Sequence, residues 1–387
     1  MPPDPDQAPA PVTPGRRLAL FAATSGHSGV DRVLRNLVGQ FDAWGLGVDL
    51  LRIRGHGPRI DLPPVTGVRP VDLDTAHVNG ALPALVRYLR RVRPAALLTD
   101  KDRVNRIAII ARALAGVDTR LTVRLGTTVS VNLADRGRLE RMVQRASMRH
   151  LYPRADAVLV PSAGVADDLA AYAGIERGHI HVVQSPIVTP RLAEMAAQPV
   201  SHPWLAPGQP PVILGVGELG FRKDFATLVR AFARVRRQRP CRLVILGRGR
   251  RKAELEGLVG ELGVAADFDL PGFHPNPYAF MARAGLFVLS SRWEGMPVVL
   301  VEALACGTPV VATDCPSGPA EVLAGGHCGA LVPVGDDAAM AAAITHWLGR
   351  RPEPDALEQT VAPYRIEVSA RAYWGVLTRG EPIGSGR

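Results

Sequence analysis

The chain has 387 residues and a mass of 41.4 kDa, too long for one ordinary hydrophobic core and about right for two domains. Hydrophobic residues make up 47% and charged residues 21%, which excludes a wholly disordered chain. A net charge of +10 and a pI near 10.1 admit nucleic acid, an anionic membrane or an acidic ligand as partner.

Residues 1–15, MPPDPDQAPAPVTPG, carry acids and prolines where a signal peptide needs basic and apolar regions, and read as a disordered Pro-rich tail. A first domain is expected over 16–185. Its strands are predicted at 18–23, 48–53, 68–72, 95–99, 121–125, 157–160 and 181–183. Helices are predicted at 30–44, 82–92, 104–115, 137–151 and 163–173. Alternation of this kind implies parallel strands joined by crossover helices.

The charge is concentrated in this domain. Residues 82–154 hold sixteen basic and five acidic groups, a net of +11. Within the helix at 137–151, Arg138, Arg141, Arg145 and Arg149 form a stripe, and Leu139, Met142, Val143 and Ala146 lie beside it. Two readings stay open: a helix meeting anionic lipid, or a half-buried helix with a solvated arginine face. Nucleic acid is disfavoured, because the segment shows no helix-turn-helix, RNA-binding or zinc signature and aromatics are only 5%.

Seven prolines between 186 and 211 interrupt the alternation, so 186–210 reads as an interdomain linker. A second domain is expected over 211–365. Its strands are predicted at 211–217, 241–246, 268–270, 286–289, 309–312 and 330–332. Helices fall at 225–238, 251–262, 277–283, 297–305 and 338–348. Residues 366–387 read as a C-terminal helix, from about 368 to 377, and a tail packing back on the first domain. The fold class is α/β, with two doubly wound halves of similar size.

No apolar run reaches the roughly 18 residues that a membrane span needs. Four cysteines form no C-x-x-C pair, so a reducing, cytoplasmic setting is expected, and no metal centre.

In open parallel sheets, ligands gather at strand C-terminal ends, where helix N-termini present amides. Three loops of the second half meet this rule. The first, Gly215-Val-Gly-Glu-Leu-Gly-Phe-Arg-Lys-Asp224, sets Arg222 and Lys223 before a helix, where they can clamp a diphosphate, with Gly217 allowing close approach. Only three of the 46 basic residues are lysine, namely Lys101, Lys223 and Lys252. The plain reading of this bias is a genome whose codon usage favours arginine. A lysine that persists against it marks a place where a compact ammonium is wanted. The second loop, Leu246-Gly-Arg-Gly249, is weaker evidence. The third runs from Ser290 through Glu294-Gly-Met-Pro-Val298 to Glu302 inside a helix. Two carboxylates eight residues apart suit different hydroxyl pairs of one ligand, as ribose recognition uses. Both could equally face solvent, although the apolar neighbours of Glu302 argue against that for Glu302.

The segment 289–313 resembles the E-x7-E signature of retaining nucleotide-sugar glycosyltransferases of the GT-B fold, family four in the usual classification. The resemblance extends through Asp314-Cys-Pro-Ser-Gly-Pro-Ala-Glu321, Gly215–Phe225 and Leu270-Pro-Gly-Phe-His-Pro-Asn-Pro277. Ser28-Gly-Val-Asp-Arg32 is similar to that family's N-terminal glycine loop. In all it covers about residues 18–375.

It implies two Rossmann-like domains facing across a cleft and transfer of a hexose or N-acetylhexosamine. The donor would be a nucleotide-diphosphate sugar. The acceptor would be a glycan or undecaprenyl-linked glycan of a surface polysaccharide, and the protein itself would be peripheral to the inner face of the plasma membrane. No cofactor and no metal are implied. On the family pattern, Glu294 contacts the donor sugar and steadies the developing oxocarbenium charge, and Glu302 holds the ribose. Arg222 and Lys223 neutralise the diphosphate. The amides of Gly295, Met296 and Val298, beside Pro297, face sugar or phosphate. Gly272 and Phe273 face the base, and Gly26 and Gly29 approach the phosphates.

Two departures stand out. Glu218 occupies the usual arginine position, which leaves a catalytically impaired nucleotide-sugar-binding protein as the alternative. The histidine expected after strand 121–125 is missing, so Arg124, Thr127 and Thr128 become acceptor-side candidates. His27 is a further candidate in the glycine loop, whereas His150 reads as structural or solvated.

Overall fold

The computed structural model describes residues 17–24, 29–54, 67–134, 136–324 and 326–380. The chain divides into two compact units, one built from residues up to Pro186 with Ile366 onwards, the other from Ile187–Arg365.

The first unit carries strands β1 (Leu18–Ala22), β2 (Val48–Arg52), β3 (Val68–Asp72), β4 (Ala96–Asp100), β5 (Arg120–Arg124), β6 (Ala157–Val160) and β7 (Ile180–Val182). They form one parallel sheet in the order β3-β2-β1-β4-β5-β6-β7. Its helices are α1 (Gly29–Ala43), α2 (Leu82–Val92), α3 (Asp102–Ala115), the single turn α4 (Val129–Asn132), α5 (Arg138–Leu151) and α6 (Ala163–Ala173). β1 and β4 are buried along their whole length, as continuous apolar runs flanked by helices require.

The second unit carries β8 (Val212–Val216), β9 (Arg242–Leu246), β10 (Phe268–Gly272), β11 (Leu286–Leu289), β12 (Val310–Thr313) and β13 (Gly329–Val332). They form a parallel sheet in the order β10-β9-β8-β11-β12-β13. Helices α7 (Pro190–Ala197), α8 (Phe225–Arg236), α9 (Lys252–Glu261), α10 (Pro277–Arg283), α11 (Val298–Ala305), α12 (Pro319–Val322), α13 (Asp337–Trp347) and α14 (Pro354–Val361) complete it. Asn276 and Asp336 cap α10 and α13, accepting the N–H groups of Ala279 (3.3 Å) and Ala339 (2.8 Å).

Residues 187–210 of the proline-rich stretch are part of the second unit. Thr189 caps α7 and Pro190 occupies its first turn. Asn276 fastens α7 by donating to the carbonyl of Met195 at 2.8 Å. Prolines here start a helix and a 3-10 turn instead of spacing two domains.

The last helix, α15 (Ile366–Thr378), belongs to the first unit. Ala370, Tyr373 and Leu377 are buried in the cluster that includes Leu18, Leu20, Leu34 and Val38. Trp374 meets Phe41 edge-on, with ring centroids 6.3 Å apart.

Helix α5 departs from the half-buried reading of its faces. Only Met148 is buried, and the apolar stripe is outside: Leu139, Met142 and Val143 are 68%, 62% and 55% exposed. Among the described residues, no helix is long and apolar enough to cross a membrane.

Candidate active site

Strand order in the second unit reverses between β8 and β11, where the following segments depart to opposite sides. Loops leaving the C-terminal ends of such a strand pair diverge and open a crevice. The β8 loop runs through a 3-10 turn, Phe221–Lys223, into α8. The β11 loop runs from Ser290 to Pro297 and into α11.

Glu294 joins the two loops. Its side chain is 4% exposed. Lys223 Nζ donates to Oε1 at 2.7 Å, Arg222 Nη1 donates to Oε2 at 2.8 Å, and Ser291 Oγ donates to Oε1 at 2.7 Å. Burial alone would push this carboxyl's pKa up. The charges of Lys223 and Arg222, with the hydrogen bonds from Lys223 and Ser291, outweigh burial and hold it below the ordinary range. A carboxylate with two cations on it at neutral pH is the result.

Lys223 reaches Glu294 because the β8 loop has no side chain in the way. A Cβ on Gly217 would lie 2.9 Å from Lys223 Cε. The loop after β9 is held equally close, since a Cβ on Gly247 would lie 1.8 Å from the carbonyl oxygen of Gly217. Backbone bonds stitch the loops together: Leu219 N–H to the Arg248 carbonyl (2.9 Å) and Gly247 N–H to the Gly272 carbonyl (2.9 Å). Of the three lysines, Lys223 is buried, while Lys101 and Lys252 are exposed.

Three residues that sequence reading missed fix the loop pair. Asp224, at φ +45°, accepts the Thr227 hydroxyl at 2.9 Å and pairs with Arg292 at 3.0 Å. The Arg292 N–H donates to the Arg222 carbonyl at 2.8 Å, and Ser290 Oγ to the Lys223 carbonyl at 2.7 Å. The Ser291–Glu294 spacing was a readable local signal. The Arg292–Asp224 pair spans 68 positions and left none.

Glu302 lies inside α11 with no exposed surface, and Tyr278 donates its hydroxyl to Oε1 at 3.0 Å. Contact with a ribose therefore requires local movement around it. Gly295, Met296 and Pro297 are buried in the turn, and the Gly295 carbonyl accepts from Ser317 Oγ at 3.0 Å. The Val298 amide is already bonded to the Met296 carbonyl at 2.9 Å, so it does not face the crevice as a free donor. Gly272 ends β10, and Phe273 beside it is 56% exposed with the Arg248 guanidinium 5.8 Å from its ring centre. A planar ring can stack on such a platform. Glu218 is exposed.

In the first unit, Gly26 and His27 lie outside the described residues, and Gly29 opens α1 in an exposed position. Arg124 is not available to a ligand. It is 3% exposed, ion-paired with Asp100, and donates to the Tyr373 hydroxyl (2.9 Å) and Ser185 Oγ (3.1 Å). That network ties α15 to the sheet. Thr127 is exposed and Thr128 is buried ahead of α4, whose first amides, Val129 and Ser130, are taken by Asp168 at 2.6 and 3.1 Å. His150 lies in the last turn of α5, on the surface. Among the described residues, no group of three or more His, Cys, Asp or Glu is placed to hold a metal ion.

A doubly wound unit whose loops part at the strand-order reversal is of the α/β class that takes its ligands at that crevice. Residues 200–361 match the model described as glycosyl transferases group 1, and residues 28–186 match the glycosyl transferase 4-like domain. The chain is a glycosyltransferase of the GT-B fold, related in each half to these enzymes.

Among its relatives is the N-acetylgalactosamine-N,N'-diacetylbacillosaminyl-diphospho-undecaprenol 4-alpha-N-acetylgalactosaminyltransferase of Campylobacter jejuni. The two are 34% identical over 239 residues, 62% of this chain and 63% of that protein, so the match spans less than two thirds of the relative. A lipopolysaccharide outer core galactosyltransferase, WaaB, superposes with a TM-score of 0.71 at 18% identity, covering 94% of this chain and 99% of that one. Anabaena Alr3699/HepE, solved with UDP, superposes with a TM-score of 0.65 at 17% identity over 94% and 95% of the two chains. At these identities the two structures speak to the fold.

Proposed function

We propose that this chain transfers a hexose or N-acetylhexosamine, with retention, from a nucleotide-diphosphate sugar to a glycan or undecaprenyl-linked glycan. One observation carries the reading: Glu294, buried and clamped by Lys223 and Arg222 where strand order reverses. An entering diphosphate competes with Glu294 for both cations, and the released carboxylate turns to the sugar hydroxyls.

The bond from the anomeric carbon to the phosphate oxygen then breaks. Arg222 and Lys223 take up the charge that develops on the leaving diphosphate. The carboxylate of Glu294 steadies the oxocarbenium-like carbon. The acceptor oxygen bonds to that carbon on the face the phosphate leaves, and its proton passes to the departing phosphate oxygen. Glu302 holds the ribose once local movement opens it, and the base stacks at Gly272 and Phe273. The activity of the Campylobacter relative supports a diphospho-undecaprenol-linked acceptor, and the UDP in the Anabaena structure supports a nucleotide-diphosphate donor. Four free cysteines fit a cytoplasmic setting at the inner face of the membrane.

The test is a donor-panel hydrolysis and transfer screen on the purified chain, with Glu294→Gln beside wild type. Loss of turnover in a variant that keeps its circular dichroism and melting supports the assignment. Near wild-type rates refute it. Donor binding without turnover by the wild-type chain would favour a nucleotide-sugar-binding protein, a reading that the exposed Glu218 at the usual arginine position motivates.

A further inference from the structure

We infer that Phe221 and Trp293 form a platform for a pyranose ring of the acceptor glycan, on the second unit beside Glu294. The inference rests on the transferase reading of that site and adds where the acceptor sugar lies.

The two rings sit on the two loops that carry the reacting groups. Phe221 directly precedes Arg222 in the β8 loop, and Trp293 directly precedes Glu294 in the β11 loop. Their ring centroids are 6.0 Å apart at 52°, so an aromatic pair repeats, one residue earlier, the contact that joins Glu294 to Arg222. Phe221 is 55% exposed, and Trp293 is half-buried. A phenylalanine left in water on such a loop forgoes its burial, which points to a ligand that covers it. Its neighbours hold the ring in place. The Arg292 guanidinium lies over it, 4.5 Å from its centre, and that of Arg251 is 5.8 Å away.

Charge selects the occupant. Both guanidiniums are committed, Arg292 to Asp224 at 3.0 Å and Arg251 to Glu254. An anion therefore gains little here, and a phosphate is better served by Arg222 and Lys223. The platform offers an apolar ring face with N–H groups along its rim, since one carboxylate leaves several donors of a guanidinium over. A pyranose matches that pattern: its C–H groups stack on the negative face of an aromatic ring while its hydroxyls reach the rim. The nucleobase is the other flat ring in the reaction, and it is assigned to Phe273, at the end of β10 and two strands away from β8. Retention brings the acceptor oxygen to the face from which the diphosphate departs, the face that Arg222 and Lys223 hold. Phe221, next to Arg222, is the exposed ring on that path.

The experiment is saturation-transfer NMR on the full chain. The probes are the methyl glycosides of glucose, galactose, N-acetylglucosamine and N-acetylgalactosamine, each alone and with UDP or GDP. At least one glycoside should bind, with the nucleotide present as well, and its C–H protons should take saturation from aromatic protons. Phe221→Ala should weaken that binding about tenfold, and Phe221→Tyr by less than about twofold, because tyrosine keeps the flat face. Phe221→Leu keeps an apolar cover for Arg292 without the flat face. It should bind as weakly as the alanine variant, which separates stacking from a disturbed loop. No glycoside binding, equal binding by Phe221→Ala, or wild-type binding by Phe221→Leu would overturn the platform. So would loss of the glycoside when the nucleotide is added, since the rings would then serve the donor. Donor hydrolysis by the wild-type chain tests the transferase reading on its own. Hydrolysis without glycoside binding refutes the platform alone, whereas glycoside binding without hydrolysis refutes transfer and leaves a sugar-binding site.

Discussion

Lys223→Met isolates the charge at the centre of the site. Methionine keeps an unbranched stem over Gly217 and removes the ammonium that lies 2.7 Å from Glu294. Removing one partner of a buried ion pair costs about 3–5 kcal/mol, because the other charge stays buried. Here Arg222 (2.8 Å) and Ser291 (2.7 Å) remain on the carboxylate, but the Arg222 side chain is 39% exposed and its pull is screened. A loss of about 2–3 kcal/mol follows, or a fall of roughly 4–12 °C in the melting of a unit this size.

The effect should depend on pH, and its sign is fixed. The wild-type carboxyl titrates below its ordinary value, so its contribution is present above the unfolded pKa of about 4.3 and is lost as pH falls through the folded value. In Lys223→Met, burial is less opposed and the carboxyl takes up its proton at higher pH. The gap in Tm between wild type and variant should therefore be widest near neutrality and shrink in acid. Donor hydrolysis should fall by about 10²-fold or more, as for loss of a group that stabilises transition-state charge. A Tm gap independent of pH, or hydrolysis near the wild-type rate, would refute the reasoning.

Two further outcomes are expected. Arg124→Leu leaves Asp100, 1% exposed, without its guanidinium and frees Tyr373, so the first unit should lose about 3–5 kcal/mol and α15 should become sensitive to protease; an unchanged melt would show that α15 is held otherwise. Gly217→Ala puts a methyl group 2.9 Å from Lys223 Cε and displaces the flexible stem. Stability should fall by only about 1 kcal/mol, while donor hydrolysis drops by about tenfold or more, since misplacing a charged group by a fraction of an ångström is costly; unaltered hydrolysis would show that Lys223 need not lie where it does.

Alternation of apolar runs with helical periods was enough to read thirteen parallel strands in two groups. Each strand's face pattern and each turn residue is a local property. The same holds for the strand–turn–helix units that put Lys223 and Glu294 at strand C-terminal ends. Scarcity of lysine added a pointer to Lys223, and its burial against a carboxylate agrees with a need for an ammonium there. The proline-rich stretch misled, because proline marks a helix start as readily as a linker, and Thr189 ahead of Pro190 was the cue for the former.

Pairings across long separations were not legible. Lys223 and Glu294 are 71 positions apart, and Arg124 and Tyr373 are 249 apart; sheet order decides such meetings, and nothing local encodes it. The charge excess met at the outset follows the same division. Sequence alone located it at 82–154 and set an arginine stripe beside an apolar one on a single helix. Periodicity fixes the angles between side chains around that helix, but not which direction faces the core. Tertiary packing chose the side of Met148 and Gln144, and so left Leu139, Met142 and Val143 facing outward.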